Sequence, residues 1–333
     1  MAEYPKQLHD VKYGDEHKLQ TLDICLPRPL NNGSLQVDAS TDDSVWIVFL
    51  HGGAWRDDSQ DKAELKPALS QLLDHFSRDA PTSALRHVVG LASINYRLSG
   101  EPSDPARNGT HPDHVHDVLL ALQWLEKEYG VGSKWPYMAV GHSCGATLAF
   151  QIVMDRQWKS AIPSKPALYE KLLGFAGAQD NHKQTIRPPV AVVGLEGVYD
   201  FPLLLKNYAH DPEYEGFIRD AFGGNHDVWQ KASPVAGDYS DRWPDGHLVV
   251  LGQSPEDELV DWPQVDSMVK VLKEQGWKMR SESRIKEARR DSWIGGKQFF
   301  VTYLKGSHDE VWEHGTELSR TIEFSLRVFY GEE

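Results

Sequence analysis

The chain has 333 residues, a formal net charge of −14, 40 % hydrophobic residues and 25 % charged ones, an ordinary globular balance with ample material for a core. That length allows one large α/β domain or two small ones. The acidic balance argues against a nucleic-acid partner, because the one locally basic stretch, 280–290, is interrupted by Glu282 and Glu287. There are two cysteines, Cys25 in an early strand and Cys144, so no disulfide framework is implied. Residues 1–10 lack an apolar core of signal-peptide length. No uninterrupted apolar run reaches the roughly 18 residues that span a membrane. A cytosolic enzyme fits these features.

Along the chain, short apolar runs alternate with helical patterns. Strands are expected at Val45–Leu50, Val88–Ile94, 137–140, 190–195, 248–252 and 299–304. Most are continuously apolar rather than alternating, which suits strands buried on both faces of a parallel sheet. Helices are expected at 63–76, 146–156, 262–275 and 316–329. Another follows Pro112, where Val115, Val118, Leu119, Leu122 and Leu125 mark one face at helical spacing. Alternating β and α with buried strands predicts a three-layer αβα sandwich around a mostly parallel central sheet, in a single domain. Three segments break the rhythm: 155–189, 201–244 and 280–297. The first two are expected to be partly helical cap material over a pocket, the third a surface loop entering the last strand, since long irregular insertions in a compact domain are usually functional.

The chemistry centres on Gly141-His142-Ser143-Cys144-Gly145, set between a strand and a helix. That context makes Gly-x-Ser-x-Gly a nucleophile elbow, whose small flanking residues let strand and helix approach while the serine is pushed above the sheet edge. Serine is a weak nucleophile at neutral pH, so Ser143 needs a base and the base an orienting acid. In the αβα hydrolase order both follow the serine, each after a later strand. His308 meets this after 299–304. Asp257 meets it after 248–252, preferred over the neighbouring Glu256, Glu258 and Asp261 by its distance from the strand end. An oxyanion requires preorganised donors. His51-Gly52-Gly53-Ala54-Trp55 follows the first apolar strand, and the N–H groups of Gly53, Ala54 and Cys144 are the candidates.

Gly109 to Asp117 is rich in His and Asp and partly resembles the motif of metal-dependent cyclase-type amidohydrolases. Val115 and Asp117 stand where that motif expects Pro and His, and Val115 belongs to an apolar helical face. A helix N-terminus is the better reading, so neither a metal nor another cofactor is expected.

Taken together, the constellation resembles the α/β-hydrolase superfamily, in its hormone-sensitive-lipase-like branch. It rests on His51-Gly52-Gly53, Asn95-Tyr96-Arg97-Leu98-Ser99, Asp117 and the elbow. A narrower resemblance is to fungal-type kynurenine formamidases, which carry His-Gly-Gly-x-Trp where lipases have a further glycine. It continues through Leu195-Glu196-Gly197-Val198-Tyr199-Asp200, Tyr214-Glu215, Phe222-Gly223, Asp257-Glu258-Leu259 and His308-Asp309-Glu310-Val311-Trp312. Segments 31–43, 155–183 and 280–297 match weakly.

The activity this resemblance implies is hydrolysis of N-formyl-L-kynurenine to L-kynurenine and formate, in tryptophan catabolism and NAD synthesis. Ser143, Asp257 and His308 would form the triad, and Trp55 and Trp312 are candidate walls for the substrate. The expected partner is a small molecule, with no nucleic acid and no membrane, and a homodimer is left open. Two other readings compete. One is a carboxylesterase acting on small acyl or aryl esters; Ala54-Trp55 in place of further glycine disfavours it. The other is a non-catalytic hydrolase-fold ligand receptor, disfavoured because no triad position is missing.

Overall fold

The computed structural model describes residues 4–30, 44–76, 83–101, 103–104, 107–154, 186–281 and 296–332. The continuously apolar runs lie side by side, because strands buried on both faces need parallel neighbours and helices above and below. In chain order the strands are β1 (Lys6–Lys12), β2 (Thr21–Leu26), β3 (Val45–Leu50), β4 (Val88–Ile94), β5 (Tyr137–His142), β6 (Ala191–Leu195), β7 (Leu248–Gln253), β8 (Lys278–Met279) and β9 (Gln298–Tyr303). They form one nine-stranded sheet in the order β1-β2-β4-β3-β5-β6-β7-β9-β8. Strand β2 runs antiparallel to both β1 and β4, and the remaining pairs are parallel.

Side chains alternate between the two faces of the sheet, as the period of two requires. Trp46, Val48 and Leu50 pack into one core with α2 (Asp113–Tyr129), α3 (Cys144–Val153) and α7 (Trp262–Glu274). Val45, Ile47 and Phe49 pack into the other with α1 (Leu65–Phe76) and α9 (Thr316–Tyr330). The result is the expected three-layer α/β-hydrolase arrangement. Helix α2 begins after Pro112, turns its Val115, Val118, Leu119, Leu122 and Leu125 face inward, and ends at Gly130 in the left-handed conformation that glycine tolerates.

Segment 201–244, expected as a cap, contributes three short helices: α4 (Phe201–Asn207), α5 (Pro212–Phe222) and α6 (His226–Ala232). Each has a readable start. The side chains of Asp200, Asp211 and Asn225 accept backbone N–H groups of the first turn, satisfying donors that a helix leaves open. Most of the expected insertions 155–189 and 280–297 falls outside the described residues. Strand β2 is the early strand expected around Cys25; its partner β1 is polar and largely exposed and carries no apolar run to predict it. Among the described residues no helix is long and apolar enough to cross a membrane.

Parallel register brings the strand ends level, with Leu50 paired to Gly141, Gly141 to Gly194, and Gly194 to Leu251. The loops after β3, β5, β6, β7 and β9 therefore leave from one edge. In open α/β sheets that carboxyl edge is where sites form.

Candidate active site

At the end of β5 the chain turns so sharply that Ser143 takes φ 53° and ψ −122° before α3 begins. The flanking glycines make this turn sterically feasible. A Cβ on Gly141 would lie 2.3 Å from the Gly145 carbonyl, and one on Gly145 would lie 2.2 Å from the Leu50 carbonyl oxygen. Strand, helix and the end of β3 are thus in direct backbone contact around the serine.

His308 follows β9 and Asp257 follows β7. The His308 Nδ1 lies 3.0 Å from both carboxylate oxygens of Asp257. Asp257 is itself fully buried and fixed. Its Oδ1 accepts the N–H groups of Leu259 and Val260 at 2.9 Å, and its Oδ2 accepts the Gln253 amide at 2.9 Å. The other acids of the crowded loop go elsewhere: Glu258 accepts the His308 backbone N–H, and Asp261 accepts from Asn207. The structure therefore brings Asp257 to the imidazole.

The loop after β3 holds three consecutive residues at positive φ, Gly53 at 89°, Ala54 at 48° and Trp55 at 59°. For Ala54 and Trp55 this conformation costs of order 1–3 kcal/mol each and persists only where surroundings impose it. The surroundings are visible. Trp55 is fully buried and packs edge-on against Phe201 and Phe222, with ring centroids 5.7 and 5.0 Å away. Its backbone N–H donates to the Cys144 sulfur at 3.3 Å. Burial pushes the Cys144 thiol up to about 12, so at neutral pH it stays protonated and is not a nucleophile.

A cavity of about 460 Å³ opens over these groups, bordered by Ser143, His308, Gly53, Ala54, Trp55 and Cys144. The cap helices supply Leu204, Tyr208, Tyr214 and Phe217 to its wall. Tyr208 and Tyr214 stack at 4.1 Å, and the Tyr214 hydroxyl donates to the Leu259 carbonyl at 2.7 Å, tying the cap to the Asp257 loop. Arg56 lines the rim, paired with Glu213 at 2.7 Å. Trp312 departs from expectation. It does not border the cavity; it packs on the α1/α9 core and its ring N–H donates to Asp309 at 3.1 Å. Its place four residues beyond His308 in sequence says nothing about direction, and helix α8 (Glu310–Glu313) turns it away.

The His/Asp-rich stretch 109–117 serves structure. Asp117 is fully buried and accepts from the Arg97 guanidinium at 2.6 and 2.8 Å, the Arg97 backbone N–H at 2.9 Å and the Gln20 amide at 2.7 Å. His114 meets the Ser99 hydroxyl at 2.8 Å, and burial lowers its pKa to about 4. These bonds join β2's entry, the loop after β4 and α2.

Reasoning from sequence did not single out a second buried cluster behind His308. Glu196 directly follows β6 and His142 ends β5, and both side chains are buried. The donor atoms of His142, Glu196 and His308 all lie within 4.8 Å of one another. Burial alone would lower the His142 pKa, but the Glu196 and Glu64 carboxylates outweigh it and push it up to about 10. His142 and the two carboxylates that flank it form a charge network. The visible signal was a histidine next to the nucleophile and a carboxylate closing the adjacent strand.

An elbow serine, a buried Asp–His pair and a positive-φ loop at the carboxyl edge of a parallel sheet define an α/β-hydrolase of the serine type. A family model described as BD-FAE matches residues 35–272. A kynurenine formamidase-like hydrolase of Fusarium equiseti is 32 % identical over 321 residues, covering 93 % of this chain and 90 % of that protein. A kynurenine formamidase of Aspergillus versicolor is 31 % identical over 333 residues, covering 93 % and 96 %. The chain belongs to the BD-FAE family and, within it, to the kynurenine formamidase-like hydrolases. Among solved structures it is similar to esterase B of Lactobacillus rhamnosis, with a TM-score of 0.62 at 14 % identity, covering 99 % of this chain and 87 % of that one. It is also similar to a truncated carbohydrate esterase from gut microbiota, with a TM-score of 0.58 at 18 % identity and 97 % of each chain covered. At such identities these two speak for the fold.

Proposed function

We propose that this hydrolase cleaves N-formyl-L-kynurenine to L-kynurenine and formate through a formyl-serine intermediate, on one α/β-hydrolase domain whose cap helices cover the pocket. The observation that carries the reading is identity of 31–32 % over 93 % of the chain to proteins named as kynurenine formamidases or like them. The placement in tryptophan catabolism and NAD synthesis follows from that substrate.

Ser143 Oγ attacks the formyl carbon while His308 accepts its proton, and Asp257 holds the ring in the tautomer that leaves the far nitrogen basic. The carbonyl oxygen becomes an oxyanion, met by the N–H groups of Gly53 and Ala54 in the positive-φ loop and of Cys144 at the start of α3. The C–N bond then breaks as His308 returns its proton to the aniline nitrogen, and L-kynurenine leaves. That nitrogen shares its lone pair with the aryl ring, so it departs more readily than an alkyl amine. Water, deprotonated by His308, attacks the formyl-serine, releases formate and restores Ser143.

Two features support a small acyl group on an aromatic amine. Trp55 is locked by Phe201 and Phe222 next to the oxyanion loop, which leaves a rigid wall beside the acyl carbon. The Tyr208–Tyr214 stack and Phe217 offer ring faces on the leaving-group side. The test compares kcat/KM for N-formylkynurenine and p-nitrophenyl acetate on one preparation. A clear preference for the formamide is expected, and a large preference for the ester would make the chain a carboxylesterase.

A further inference from the structure

Glu196 is an unusual residue. It follows β6 directly, is fully buried, and has a φ of 50°, a conformation costly for a side chain with a Cβ. Neither of its carboxylate oxygens is hydrogen-bonded. Its Oε2 lies 3.6 Å from His308 Nδ1 and 3.4 Å from His142 Nε2. His308 Nδ1 therefore faces two carboxylates, Asp257 in hydrogen bond and Glu196 just beyond it. Orphaned buried carboxylates are expensive unless compensated, and the compensation here is His142.

His142 is fixed from three sides. Its Nε2 donates to the His308 carbonyl oxygen at 3.1 Å, its Nδ1 stands 3.7 Å from Glu64, and its ring lies 4.6 Å from that of His308. Glu64 is itself anchored by the Gly52 N–H at 3.0 and 3.2 Å, one residue before the oxyanion donors. The groups facing Glu196 are thus His142 from β5, His308 from the loop after β9, Asp257 from the loop after β7 and Tyr199 from its own loop, with Glu64 behind His142. His142 thus stands among three carboxylates, Glu196, Glu64 and Asp257, beside His308.

We propose that Glu196 is a second positioning carboxylate for His308, held in reserve by His142, so that orientation of the base does not depend on Asp257 alone. This rests on the serine-hydrolase reading of the site but not on which substrate is turned over. When His308 becomes an imidazolium, its Nδ1–H remains on Asp257 and the Glu196 charge stabilises the ring from 3.6 Å. When Asp257 is neutralised, Glu196 can accept the Nδ1–H after a small rotation of the ring.

The experiment measures kcat/KM against pH for wild type, Asp257→Asn, Glu196→Gln and the double variant, with Ser143→Ala as control and any substrate the wild type turns over. Where a second acid is absent, replacing the triad aspartate costs about 10⁴-fold. Here Asp257→Asn is expected to lose only about a hundredfold, and the double variant a further hundredfold. Removing a carboxylate destabilises the imidazolium, so its pKa falls, and the ascending limb of Glu196→Gln moves to lower pH by roughly half a unit or more. An Asp257→Asn loss near 10⁴-fold overturns the proposal, and so does a Glu196→Gln variant whose limb stays in place. A purely structural Glu196 would lower yield or melting temperature and leave the limb unmoved. If Glu196→Gln does not fold, the size of the Asp257→Asn loss alone decides. Full activity in Ser143→Ala would instead bring down the serine mechanism itself.

Discussion

Gly145→Ala tests how tightly the elbow is coupled to the oxyanion loop. A Cβ at this position would stand 2.2 Å from the Leu50 carbonyl oxygen and 2.4 Å from that of His51, where non-bonded contacts settle near roughly 3.5 Å. Relief requires the start of α3 and the end of β3 to part by about 1 Å or more. Residues 51–55 move with that strand end, so Gly53 and Ala54 shift relative to Ser143. A misplacement of about 1 Å costs on the order of a hundredfold. It should fall on kcat rather than KM, because those donors serve the transition state. Overpacking adds a stability loss of about 1–3 kcal/mol, which leaves the protein folded at assay temperature. Steady-state kinetics and a thermal melt on the purified variant read both. Wild-type kcat together with an unshifted melt would refute the claim that strand, helix and donor loop are in rigid contact.

Three further perturbations follow. Cys144 should react slowly with iodoacetamide at pH 7.5 in the native protein, since its thiol is pushed up to about 12 by burial; rapid labelling would contradict that environment. Asp117→Ala takes the fully buried carboxylate from the mostly buried Arg97 guanidinium, leaving it Glu16 at 3.4 Å and Asp113 at 3.9 Å, and should lose about 3 kcal/mol in urea unfolding. Added divalent metal should restore nothing, and metal-dependent recovery of activity would revive the ligand role. His142 has a folded pKa raised from 6.5 to about 10, so its contribution is fully present below 6.5 and is lost as pH rises through 10. Unfolding free energy should fall over that alkaline window, and His142→Gln should flatten the slope; an unchanged slope would remove His142 as its source.

The parts of the fold that were legible are those where local pattern and tertiary role coincide. Val45–Leu50 and Val88–Ile94 are buried at every position because both faces are covered, so their mainly apolar runs announced central strands to the residue. That Ser143, Asp257 and His308 share one edge was legible because each sits a short way past such a run, where register aligns the strand ends. The β1 strand was not, since an exposed antiparallel edge strand needs no apolar face. The cap helices had caps at Asp200, Asp211 and Asn225, yet their aromatic and proline content masked the helical period. Trp312 shows the opposite failure: proximity to His308 in sequence does not set where a ring points. The Glu196–His142 pair was hidden because its meaning lies in distances across three loops. Glu196 and His142 were in plain view as letters, and only their convergence on His308 gives them a role.

The central claim is that Ser143 takes the formyl group, and the most direct measurement is kcat/KM of Ser143→Ala on N-formylkynurenine, with a thermal melt alongside. A loss of about 10⁶-fold in a variant that melts like the wild type is the predicted result. Turnover within tenfold of wild type would contradict the account.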